Sequence, residues 1–260
     1  MITLHGKGIH SGQPCSVRIW REDGPVTFLR SGTRITALAD NLGETNRATS
    51  LAAAGQRVTM VEHLLAALHI TGWWRGLLLE ASAEELPILD GSAREWLAVL
   101  GDLGEPPPAP PAYRPLRPVT VRAGRGEAAI EPGEDRLEVS ISFSHPLIGD
   151  RKWTGVPADF HELADARTFG FTEELAALNE RGLALGADMD NCLVFSGDEV
   201  LGPMRGDDEP VRHKALDVLG DLFVLGRPVA GRIRSACGSH GLHAKLVQEV
   251  RQQAGLETAT

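Results

Sequence analysis

Residues 104–118 read GEPPPAPPAYRPLRP and hold seven prolines. Proline has no amide proton and clashes with the preceding helical turn, so this stretch excludes a helix and favours an extended, semi-rigid linker. It divides the chain into residues 1–105 and 119–260, with 106–118 between them. Both parts begin with strand-like segments: CSVRIW (15–20) and VTFLR (26–30) in the first, RPVTVRA (117–123), AAIEP (128–132) and LEVSISFS (137–144) in the second. Each part then carries an amphipathic helix, over 58–72 and 210–226, followed by an apolar strand, RGLLLEAS (75–82) or VAGRIRSA (229–236). VEH at 61–63 and VRH at 211–213 occupy matching places. The pattern predicts a distantly duplicated α+β unit with a site between its halves.

Two shorter helices follow from local signals. In LPILDGSAREWLAVL (86–100), Asp90-Gly91 makes a turn, and Ser92 with Glu95 three residues on predicts a capping box. In TEELAALNERGL (172–183), Thr172 is the expected cap and Gly182 the expected stop.

The 260 residues carry a net charge of -9, which argues against a nucleic-acid partner. The three cysteines, Cys15, Cys192 and Cys237, form neither a disulfide framework nor a CxxC metal motif, so a reducing cytoplasm is expected. No run approaches the roughly 18 apolar residues of a membrane span, and the N-terminal MITLHGKGIHSG lacks the pattern of a secretory signal. Stable membrane insertion is therefore not expected.

The chemistry concentrates in VRHKALDVLGD (211–221). Residues four apart share a helix face, so His213, Asp217 and Asp221 point the same way. Alone, that is first a solvated stripe whose His–Asp pair is worth a few tenths of a kcal/mol. It becomes a metal site only with a third ligand. VEHLLAALH offers His63, next to Glu62 in an apolar setting where a lone carboxylate is costly. His63, His213 and Asp217 match the three-ligand pattern of catalytic zinc sites, with Glu62 placed to take a proton from water. In ACGSHGLHAKL (236–246), Gly238 and Gly241 flank His240, a candidate acid in a glycine-lined turn. In ARTFGFTEEL (166–175), Thr168 is a candidate donor to an oxyanion. Phe169 and Phe171 suit an apolar passage, though Phe171 taken alone reads as core packing.

VEHLLAAL, LPILDGSA, ARTFGF, VRHKALDVLGDL and SHGLHAKL occur in the order found in the zinc-dependent UDP-3-O-acyl-N-acetylglucosamine deacetylases of lipid A biosynthesis. GKGIHSG and FSHP (143–146) resemble that family too. The resemblance implies two similar α/β domains packed as a layered sandwich, helices inward, with the active site in the cleft between them. It implies one Zn2+ per chain, with Fe2+ as the other candidate, held by His63, His213 and Asp217. Glu62 would be the general base and His240 the general acid. Thr168 would help hold the oxyanion, and Lys214 and Asp221 would support the site and the substrate. An insert near 170–195 would form a passage for the acyl chain, with Phe143, Phe169 and Phe171 at the substrate. The expected substrate is a UDP-linked acyl sugar and the expected state a monomer. Cys237 and Glu131 stand where the family carries basic residues near the nucleotide, and His243 where it usually has asparagine. The missing basic residues motivate a second reading, a related zinc amidohydrolase acting on a different acylated sugar; the intact ligand, base and acid set argues against a third, a non-catalytic homologue.

Overall fold

The computed structural model describes residues 1–255. The last five residues of the expected second part, 256–260, lie outside the described residues. Four strands open the chain: β1 (Ile2–Lys7), β2 (Pro14–Pro25), β3 (Thr27–Arg30) and β4 (Thr33–Thr36). In β2, Cys15, Val17 and Ile19 are buried while Arg18 is exposed, the alternation of a sheet with one covered face. The hairpin of β5 (Ser50–Ala53) and β6 (Gln56–Thr59) leads into α1 (Glu62–Thr71), then β7 (Arg75–Ala81) and α2 (Arg94–Gly101). The first sheet has the order β1-β2-β7-β3-β4, with β7 antiparallel to β2 and parallel to β3.

The rest of the chain repeats this plan. β8 (Val119–Ala123), β9 (Gly126–Glu131), β10 (Arg136–Ser142) and β11 (Asp150–Gly155) come first. An inserted segment follows, with β12 (Phe169–Phe171), α3 (Thr172–Glu180), β13 (Leu193–Ser196) and β14 (Glu199–Leu201). Then come α4 (Glu209–Phe223), β15 (Arg232–Ala236) and α5 (His240–Ala254). The second sheet has the order β11-β10-β15-β9-β8, with β15 antiparallel to β9 and parallel to β10. Read from the opposite edge, it matches the first sheet strand for strand.

Helices α1 and α4 are the inner elements. Residues 62–68 of α1 are buried, and so is every residue of α4 except Lys214. A helix covered on nearly all sides belongs to the interior. The two pack directly on each other. A Cβ on Gly220 of α4 would lie 2.0 Å from the Glu62 carbonyl oxygen, so only glycine permits this approach. The contact brings Glu62 and His63 beside the polar face of α4.

Several local expectations are corrected. The helix expected from residue 58 starts at Glu62. Residues 56–59 pair with β5 instead, and Met60, at φ 59°, turns the chain between strand and helix. Ser92 makes no capping box with Glu95. Its hydroxyl is bound to Asp90 Oδ1 at 2.6 Å and accepts from Arg94 N, and the helix begins after it. Thr172 is the first residue of α3 rather than its cap, and its hydroxyl meets Ser196 Oγ at 3.0 Å. His240 does not sit in an open turn. It starts the 15-residue α5, capped by Ser239 Oγ, which accepts from Leu242 N. The Ser cap and the apolar spacing of Leu242, Leu246 and Val250 were its signals.

The inserted elements span 169–201, close to the expected 170–195. Their link to α4 is a buried ion pair: Arg167 Nε donates to Glu209 Oε1 at 2.8 Å, and Glu209 is fully buried. The proline-rich stretch contains no helix. It touches both halves: Pro107 lies so close to Gly76 that a Cβ there would sit 2.8 Å from its ring, and the Tyr113 backbone donates to Pro228 O and accepts from Ala230 N, each at 2.8 Å.

Candidate active site

One cavity of about 580 Å³ joins the polar face of α1 and α4 to the inserted segment. At its polar end His63 from α1 and His213 and Asp217 from α4 each offer one ligand atom, and these atoms lie within 4.8 Å of one another. His63 Nε2 is 3.9 Å and His213 Nε2 is 3.5 Å from Asp217 Oδ1. The backbone carbonyl of Ala166 accepts from His213 Nδ1–H at 3.1 Å, which leaves the Nε2 lone pair facing the cluster. Burial pushes the His63 imidazolium down to about 3, and neighbouring His213 adds to the effect. Burial lowers His213 as well. Both rings are therefore neutral near pH 7. Burial opposes ionisation of Asp217, but the Lys214 ammonium, 2.8 Å from Oδ2, and the His240 imidazolium hold its carboxyl far below the usual range. Two neutral imidazoles and one carboxylate are the donor set that a divalent ion needs.

Glu62 and His240 flank this cluster. Burial raises the Glu62 carboxyl to about 7, against the pull of His240. Glu62 Oε2 accepts from the backbone N–H of Thr49 at 2.9 Å, and Oε1 lies 3.9 Å from His240 Nε2. Burial works against charge on His240. The Asp221 carboxylate, then Glu62, override it and raise the ring to about 10. His240 Nδ1 bonds both oxygens of Asp221, at 3.0 and 2.9 Å. A carboxylate titrating near 7 beside an imidazolium that holds its proton makes an acid–base pair with separated roles.

Thr168 lines the cavity, pinned through its backbone: its N–H donates to Gly91 O at 2.7 Å and its carbonyl accepts from Leu193 N. Lys214 reaches the cavity with its ammonium 5.9 Å from the centre of the Phe169 ring. Phe143, Phe169 and Phe171 cluster with centroids 5.4 to 6.2 Å apart, and all three line the apolar part. Every site residue expected from the sequence except Asp221 faces this cavity, and Asp221 sits directly behind His240.

The sequence reading missed Thr49, which touches both Glu62 and Asp221, and assigned no role to His243, which also bonds Asp221. No pattern in RATSL points to Thr49. His10 and Arg47 line the cavity as well. Arg234 does not. It pairs with Glu131 at 3.2 Å and Glu127 at 3.8 Å, along the strands of the second sheet.

The family model of UDP-3-O-acyl N-acetylglycosamine deacetylase matches residues 1–252. The chain belongs to this family. It is 40% identical to the UDP-3-O-acyl-N-acetylglucosamine deacetylase of Phenylobacterium zucineum, over 94% of this chain and 88% of that protein. The deacetylases of Brucella melitensis, at 37%, and Helicobacter pylori, at 35%, align over 95% and 97% of this chain and 91% and 90% of their own lengths. Among the described residues no helix is long and apolar enough to cross a membrane.

Proposed function

We propose that this protein is a metal-dependent amide hydrolase that deacetylates a UDP-linked 3-O-(3-hydroxyacyl)-N-acetylglucosamine, leaving the free amine and acetate, as an early step of lipid A biosynthesis. Family membership supports the reaction. The observation that carries the chemistry is the convergence of three buried ligands with Glu62 on one side and His240 beyond it.

His63, His213 and Asp217 would hold one Zn2+, with Fe2+ the other ion suited to a His2Asp set. When bound, the ion supplies Lewis-acid polarisation and lowers the pKa of water. Glu62 takes a proton from the attacking water as its oxygen bonds to the acetyl carbon. The hydroxyl of Thr168 and the His240 imidazolium stabilise the developing oxyanion. His240 then donates its Nε2 proton to the nitrogen as the C–N bond breaks, giving acetate and the amine. Lys214 fixes Asp217 and faces the sugar. Phe143, Phe169 and Phe171 hold the start of the acyl chain. The same proposal treats residues 1–105 and 119–260 as two domains joined by 106–118, working as a monomer in the cytoplasm.

The test is acetate release from the UDP-linked substrate by zinc-loaded and metal-stripped protein. Metal-dependent release supports the reading, and its absence from protein holding one zinc overturns the substrate. Arg234, on β15 three residues before Cys237, is engaged by two glutamates, and Cys237 itself has no basic side chain. That observation favours, as a second reading, a hydrolase of an acylated sugar without UDP. Failure of UDP to compete with substrate would select it.

A further inference from the structure

Asp221 is 2% exposed and accepts from three side chains. His240 Nδ1 lies between its two oxygens. Thr49 Oγ1 donates to Oδ1 at 2.5 Å, and His243 Nδ1 donates to Oδ2 at 2.7 Å. An ionised carboxylate only accepts, so all three neighbours must donate. On its other side His243 Nε2 is hydrogen-bonded with Ser235 Oγ at 2.9 Å. Gly238 leaves the space for this contact, because a Cβ there would lie 2.1 Å from Ser235 Oγ and 2.5 Å from His243 Nε2.

Thr49 and His243 thus grip opposite ends of one carboxylate. Rotation of that carboxylate breaks both bonds and misdirects His240. Thr49 also gives its backbone N–H to Glu62 Oε2. One residue therefore touches the base and the group that aims the acid. Neither Thr49 nor His243 lines the cavity, so neither meets substrate directly.

We propose that Thr49 and His243 are positioning residues for the hydrolysis: they hold Asp221 from its two ends so that His240 faces the leaving nitrogen, and Thr49 also sets the spacing between His240 and Glu62. This inference rests on the function proposed above.

The test compares Thr49→Val, which keeps the shape and loses the hydroxyl, with Thr49→Ser, which restores the hydroxyl. His243→Leu and the Thr49→Val/His243→Leu double variant complete the set. All are measured as metal-loaded full-length chains for kcat, KM and Tm. The ring N–H signals of His240 are read by NMR on 15N-histidine protein. Thr49→Val is expected to lower kcat about tenfold or more with KM within about twofold, a loss confined to the transition state. Thr49→Ser should stay within about threefold of the parent kcat. The two single losses should fall short of adding in the double variant, because both act through one carboxylate. The His240 Nδ1–H signal should broaden by faster exchange with water in Thr49→Val and His243→Leu.

A parent-like kcat in Thr49→Val overturns the proposal. So does an equal loss in Thr49→Val and Thr49→Ser with matching falls in Tm, because the effect then follows packing and not the hydroxyl. If Thr49→Val does not fold, Thr49→Ser and His243→Leu carry the comparison. If the parent protein itself releases no acetate, the functional reading fails. The His240 signal then decides the positioning alone, and its persistence in the variants overturns it.

Discussion

At the polar end of the cavity Glu62, His63, His213, Asp217 and Asp221 are each no more than 3% exposed. Along the inserted segment Leu175, Met189 and Leu201 are 42%, 47% and 37% exposed, and α3 buries none of its residues. Both regions line or back one cavity, yet they are built differently. The polar end uses two packed helices whose charged groups restrain one another. The apolar end uses a short three-stranded sheet and one half-solvated helix. Bond breaking demands reacting groups held to within a fraction of an ångström. Holding an alkyl chain demands apolar area, and flexible side chains such as Met189 supply it.

Asp217→Ala should break the polar end most completely. It removes a proposed ligand and strands Lys214, so metal per chain should fall well below one and acetate release should vanish. Metal analysis after dialysis checks this, and full occupancy would refute the ligand assignment. Glu62→Gln should retain the metal and lose about 10²–10⁴-fold in kcat/KM, the usual range for a general base. Activity that survives would move the base elsewhere.

Where the two regions meet, Arg167→Met would leave the buried Glu209 carboxylate without its cation and with only the backbone N–H groups of residues 167 and 205, at a cost of about 3–5 kcal/mol in unfolding free energy. Urea denaturation reads this directly. A change below 1 kcal/mol, on the order of a surface pair, would show that the insert is not anchored there.

In the proposed role of acid, His240 must keep its proton. Its pKa is raised to about 10, so activity is expected below that pH and lost as pH rises through it. Asp221→Asn removes the anion that favours the charged ring, so the alkaline limb of the kcat/KM profile should move down by about 1–3 units. An unmoved limb would assign it to another group. The smallest effect belongs to Leu175→Ala in α3, where exposure limits the stability change to about 0.5 kcal/mol. KM should rise only for long acyl chains. A large fall in kcat would erase the distinction between the two regions.

The sequence by itself determined the repeated strand–helix–strand plan and most of the residues that meet at the candidate site. Helical periodicity is local: His213, Asp217 and Asp221 share a face because 3.6 residues make a turn, and no distant contact is needed to know it. Glu62 and His63 were legible as polar residues set among apolar neighbours. Elements set by longer-range pairing were less legible. Residues 56–59 went to a hairpin because β5 was there to pair with them, and His240 began a helix that glycines on either side had disguised.

Only the tertiary structure decided how these pieces act together. Gly220 lets α4 approach α1 closely enough to assemble the three candidate ligands. The carbonyl of Ala166 selects the tautomer of His213. Thr49 reaches Asp221 across 172 positions of sequence, and His243 reaches it from a different helix. Hydrogen bonds depend on distances of about 3 Å and on direction. Those quantities arise from packing and leave no periodic trace in the order of residues.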